Sequence, residues 1–201
     1  MTGKCTHGIK SESPLASPAL LKQRLGHIPA KSEVTAWMDR WSALDGDYGA
    51  GHAARLERAL VQTISLEGKT GFRAAWVVAL LSARGLMVTH PERGLMRAWH
   101  STEDVGCQRE CLRALLHLGP SDGALEDLFE WASQVVFLDD APAALLHHAL
   151  RVMERSVSRP GFLESSSAHH ELHEALDHVE RMDHPAHLKK KAALLRARLS
   201  G

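Results

Sequence analysis

The run from Ala74 to Leu81, "AAWVVALL", limits what this chain can become more than any other stretch. It lies within "FRAAWVVALLSARG" (72–85), whose alanines and leucines favour a helix, and it puts apolar side chains on every side of that helix. A helix apolar all round has to be covered on more than one face, so this segment predicts a core element with other elements packed around it. From about residue 18 onward the other apolar residues also recur at helical spacing, and the alternation of a half-buried strand is missing. One tyrosine and four phenylalanines beside abundant alanine and leucine agree with an all-α fold.

The pattern resolves into about ten helices. The first is 18–25. The second, 32–44, is expected to start on Ser32 as N-cap and to align Val34, Trp37, Met38, Trp41 and Leu44. "DGDYGAG" then breaks the chain, and helices follow at 52–66 and 72–85. His90-Pro91 opens one that carries Leu95, Met96 and Trp99. Gly119-Pro120 stops 104–119, Ser121 or Asp122 caps 123–137, and Asp140 caps 141–157. Segments 165–182 and 186–199 complete the set.

Short connections make successive helices antiparallel, so the chain from 52 onward falls into four hairpins at intervals of roughly 30–45 residues, the spacing of helical-repeat solenoids. Residues 1–17, rich in serine, proline and glycine, are expected to form a mobile N-terminal tail, and 18–201 a single domain.

Lysine and arginine together equal aspartate and glutamate, so no overall excess of charge draws the whole molecule to nucleic acid or to an anionic membrane. No window reaches the roughly 18 apolar residues of a membrane span, and no secretory signal is read at the N-terminus. Cys5, Cys107 and Cys111 are odd in number and sparse, the usage of a reducing compartment, which places the chain in the cytoplasm.

In "AHHELHEALDHVERMDHPAH" (168–187), winding at 100° per residue sets Leu172, Ala175, Leu176, Val179 and Met182 on the inner face and His170, His173, Glu174 and Asp177 outside. Two imidazoles and a carboxylate could meet one Zn²⁺ or Ni²⁺, but a solvated helix face lacks a fourth ligand and partners to fix the tautomers. We therefore expect no metal and no other cofactor. Gly68-Lys69-Thr70 ends like a phosphate-binding loop, yet Thr63 stands where that loop needs glycine, and a helix precedes it. Cys107 and Cys111, one turn apart among leucines, read as core, as do Trp37, Trp41, Trp76, Trp99 and Trp131. No nucleophile, base and acid can be assembled, so no catalytic residue is assigned.

The segments "FRAAWVVALL", "CQRECLRALLHLG", "GALEDLFEWA", "DDAPAALLHHALRVM" and "HLKKKAALLRARL" resemble a family of small bacterial HEAT-like repeat proteins. The resemblance covers about residues 50 to 199. It departs from the family pattern at His147 and His148 and in the lengthened N-terminal region. It implies a HEAT-like α-α superhelix of antiparallel hairpins and, since some members are labelled adenylosuccinate lyase, a small lyase as one alternative. That enzyme's catalytic signature is absent from this chain.

Charge segregates between the first and the second helices of the hairpins taken together. The first helices at 123–137 and 165–182 are acidic, while the second helices sum to about +8. A basic second-helix face centred on Arg73, Arg109, Arg113, Arg151, Lys189, Lys190 and Lys191 is expected to receive an acidic protein partner, making the chain a non-catalytic interaction or scaffold module. Nucleic acid is the other anion such a face could bind, and steep salt dependence would reveal it.

Overall fold

A computed structural model describes residues 13–66, 68–138, 140–162 and 166–199. All regular structure among them is helical: a 3₁₀ turn at Pro14–Ala16, then α1 (Pro18–Gly26), α2 (Lys31–Trp41), α3 (Leu44–Tyr48), α4 (His52–Ile64), α5 (Lys69–Ala83), α6 (Glu92–Ser101), α7 (Val105–Leu118), α8 (Asp122–Val136), α9 (Ala143–Val157), α10 (Ser166–Arg181) and α11 (Ala186–Leu199). None of the described helices is long and apolar enough to cross a membrane.

Local chemistry sets several boundaries. Ser17 caps α1 by accepting from Leu20 N–H at 3.3 Å, with Pro18 in the first turn. Asp104 caps α7 through Cys107 N–H at 2.7 Å, and Ser121 caps α8 through Ala124 N–H at 3.4 Å. Gly119 stops α7 at φ +76°, a conformation open to glycine. Two expected caps are displaced. The second helix begins before Ser32, after Ala30, and α9 begins after Pro142 and not at Asp140; neither start has a side-chain cap.

"DGDYGAG" is more than a break, because it holds the short α3. The Asp45 carboxylate accepts from Gly51 N–H at 3.0 Å and Ala53 N–H at 2.9 Å, bringing donors at the start of α4 to a carboxylate upstream and lowering the pKa of Asp45. Residues 1–12 of the expected tail lie outside the described residues. Its last part is not loose, since Leu15 is only 1% exposed in the core and His52 Nε2 lies 2.7 Å from Leu15 O.

Within each hairpin α4 packs on α5, α6 on α7, α8 on α9 and α10 on α11. The second helices also touch in sequence, α5 to α7 to α9 to α11, while α4 meets α6 and α8 meets α10. One apolar cluster runs from Leu15 to Leu195 through both rows. As its composition requires, α5 lies deepest: Ala74, Ala75, Val77, Val78, Ala79 and Leu81 are fully buried beneath α1, α4 and α7. At Gly71 a Cβ would stand 2.1 Å from Leu66 O, so the backbone contact between the α4–α5 turn and α5 excludes any side chain there.

The inner faces read from sequence largely hold. Val34, Trp37, Met38, Trp41 and Leu44 are buried, as are Leu172, Ala175, Leu176 and Val179, whereas Met182 is half-buried. Cys107 and Cys111 are core residues, 2% and 0% exposed. Glu57 was not anticipated: it is fully buried, and its carboxylate accepts from Trp41 Nε1, Val88 N–H, Thr89 N–H and Thr89 Oγ1. Four donors offset the cost of burying that charge and tie the turn after α5 to α2 and α4.

Candidate functional site: a basic groove beside α5 and α7

Lys69, Phe72, Arg73 and Trp76 recur at i, i+3, i+4 and i+7, which puts them in one stripe along α5. Opposite stand Arg109, Glu110 and Arg113 of α7, and the end is closed by Ile28 and Pro29 of the α1–α2 connection and by Lys31, the first residue of α2. Together they enclose an open groove of about 620 Å³ with five cations and one carboxylate. The connection is held in shape by Arg24 of α1, whose Nε donates to Glu33 of α2 at 2.7 Å. Trp76 is half-buried and Ile28 is 77% exposed, so the groove has an apolar floor and wall as well as charge.

The cations differ in what they have left to offer. Arg73 is buried, and its Nη1 donates to Leu25 O at 2.8 Å and Gly26 O at 3.0 Å. It therefore closes the C-terminus of α1, where unpaired carbonyls favour a cation, and acts in the groove as a fixed charge more than a movable contact. Arg109 donates from Nε and Nη2 to Glu110 Oε1 at 3.1 and 3.0 Å, and Arg113 Nη2 lies 2.9 Å from Glu110 Oε2. One carboxylate thus holds two arginines side by side and leaves a net positive charge. Lys31 and Lys69 are exposed and form no ion pair with a described residue.

Three histidines lie against neighbouring cations of this surface. Burial, then His147, Arg151, Arg109 and Arg113, push the His148 imidazole down to about 4. His117 is lowered by burial, then by Arg151 and Arg113; His147 is lowered by burial, then by Lys191 and Arg151. Positive charge therefore continues from α7 across α9 to α11.

The seven basic residues singled out from sequence divide accordingly. Arg73, Arg109 and Arg113 meet in the groove. Arg151 lines a smaller recess of about 270 Å³ with Glu154, Arg155 and Arg198. Glu154 is gripped there by Lys191 at 2.8 Å and Arg198 at 3.2 Å, which lowers its pKa. Lys189 and Lys190 line neither space and form no ion pair with a described residue. Arg196 of α11 pairs with Asp177 and Glu180 of α10, so some charge is cancelled between the helices of one hairpin.

Sequence reasoning missed Phe72, Trp76, Lys69 and Lys31 as site residues. The signal for the first three is the α5 stripe, hidden because Lys69 also falls in the phosphate-loop-like Gly68-Lys69-Thr70 and Trp76 has apolar neighbours at core spacing. Trp76 and Trp131 are half-buried, unlike the deeply buried Trp37, Trp41 and Trp99. Among the described residues, no three histidine, cysteine, aspartate or glutamate side chains converge as a metal site, and His170 and Glu174 meet only as an exposed pair at 3.4 Å. No family model, curated protein or solved structure matches the chain.

Proposed function

We propose that this chain is a non-catalytic, HEAT-like helical-repeat module of the cytoplasm that binds an acidic protein segment in the groove beside α5 and α7. The observation that carries the reading is the juxtaposition of Phe72 and Trp76 with Lys31, Lys69, Arg109 and Arg113 around a space of about 620 Å³. An apolar side chain of the partner covers the rings and its carboxylates meet the cations, so apolar burial supplies affinity and charge supplies orientation. The stacking of each hairpin on the next supports the repeat architecture. Arg151, Lys189, Lys190 and Lys191 extend the positive surface along α9 and α11 for a longer acidic segment.

The half-exposed Trp76 among cations also favours a second reading, in which a nucleobase stacks on the ring and phosphates take the arginines. Fluorescence anisotropy separates the two, using a labelled glutamate-rich peptide with one central leucine and a single-stranded oligonucleotide of equal charge. The expected result is saturable peptide binding that loses affinity when leucine is replaced by serine. Oligonucleotide binding that is tighter and falls steeply with salt would replace the first reading by the second.

A further inference from the structure

A second cavity, of about 360 Å³, lies among α6, α7 and α8 and shares no residue with the basic groove. Its size is at the lower end for small-molecule sites. We infer that it binds a small organic cation: a free trimethylammonium compound carrying an acceptor oxygen, of the choline kind.

The walls supply three things that such a ligand uses. Trp99 and Trp131 meet edge to face, with centroids 5.4 Å apart and planes at 83°, and so form an aromatic corner; His100 adds a third ring 4.6 Å from Trp99. Asp127 and Glu130, one turn apart on α8, bring two exposed carboxylates to the same cavity, and neither forms an ion pair with a described residue. Finally, Trp99 is 3% exposed and its indole N–H is buried without a hydrogen-bond partner among the described residues. A buried donor left without an acceptor is costly, and an oxygen on the ligand would relieve it once the side chains that cover the indole nitrogen shift to admit it.

The kind of cation follows from the same walls. A metal ion would need more converging ligands than the cavity offers, as no metal-holding group of three occurs among the described residues. A primary ammonium would bring three N–H donors to the four carboxylate oxygens and leave the aromatic rings unused. A quaternary ammonium brings none, and aromatic faces beside carboxylates hold it by cation–π and Coulomb attraction. Gln108 is fixed by donating to Thr102 O at 2.8 Å, and Gln134 approaches Glu130 at 3.5 Å, so the polar rim is already ordered.

Isothermal titration calorimetry with choline chloride, and with its uncharged isostere 3,3-dimethyl-1-butanol, tests the assignment on the full chain. Choline is expected to bind one site saturably, and the isostere at least about tenfold more weakly. The double variant Asp127→Asn/Glu130→Gln, whose changes are on exposed positions and should leave the helical circular dichroism intact, is expected to weaken choline about tenfold. Trp131→Leu is expected to weaken it by at least as much. Absence of saturation by choline, equal binding of the isostere, or unchanged affinity in the double variant would each overturn the proposal. Tighter binding of acetyl-trimethyllysine amide than of choline would overturn the assignment to a free small molecule.

Discussion

The groove beside α5 and α7 and the cavity among α6, α7 and α8 use the same parts to opposite ends. Each sets aromatic rings beside charged side chains, and each takes residues from α7: Gln108 lines the acidic cavity while Arg109, one position on and about 100° around the helix, lines the basic groove. The groove's cations are partly engaged within the fold, Arg73 by carbonyls and two arginines by Glu110. The cavity's carboxylates have no such cationic partners among the described residues. Counting residues by sign is therefore a poor guide to what a surface offers. What remains after internal pairing decides it.

The largest effect is expected from removing Glu110, 2% exposed and in contact with Arg109 and Arg113. Glu110→Ala should cost about 3 kcal/mol in urea unfolding, because the buried side chain leaves a cavity and two part-exposed arginines lose their shared anion. The same variant should bind the acidic peptide more tightly. Unchanged stability together with unchanged peptide affinity would show that Glu110 does not restrain the groove.

Next in size is the pH dependence set by His148, which is 8% exposed. Its folded-state pKa is depressed, so the unfolded chain binds the proton more readily between the ordinary value of 6.5 and about 4. The stability is full above 6.5 and is lost as pH falls towards 4, by about 2 kcal/mol after allowance for residual solvent screening. His148→Gln should flatten that slope in denaturation series. A slope that survives the substitution would assign it to other groups.

Smaller again is the contribution of the exposed lysines. Lys31→Ala/Lys69→Ala should weaken the acidic peptide about tenfold while shifting stability by less than about 0.5 kcal/mol. Choline binding should not change. The smallest effect is expected at Arg159, which pairs with the 73% exposed Asp122. Arg159→Ala should alter stability by under about 0.5 kcal/mol and neither ligand's affinity.

Much of the helical fold was legible because its signals are local. Apolar period places α4 to α11 within a few residues, and the unbroken apolar run identifies α5 as the central element before any contact is known. Less was legible where distant residues meet. The α3 turn depends on Asp45 reaching Gly51 and Ala53, and the burial of Glu57 depends on donors some thirty residues away at Val88 and Thr89. The groove was half legible for the same reason. Charge counting by helix pointed to Arg73, Arg109 and Arg113, but only the fold brings Ile28, Pro29 and Lys31 against them and shows Arg73 tied to α1. The acidic first helices were likewise visible, while the Trp99–Trp131 corner was not, because period alone assigns both rings to the core.

The most direct test of two separate, oppositely charged aromatic sites is the indole N–H region of the ¹⁵N NMR spectrum, where five tryptophans give five assignable signals. Adding the acidic peptide should move Trp76 and leave Trp99 and Trp131 in place, and adding choline should do the reverse. Movement of all three with either ligand, or of Trp76 with neither, would contradict the division of function between the groove and the cavity.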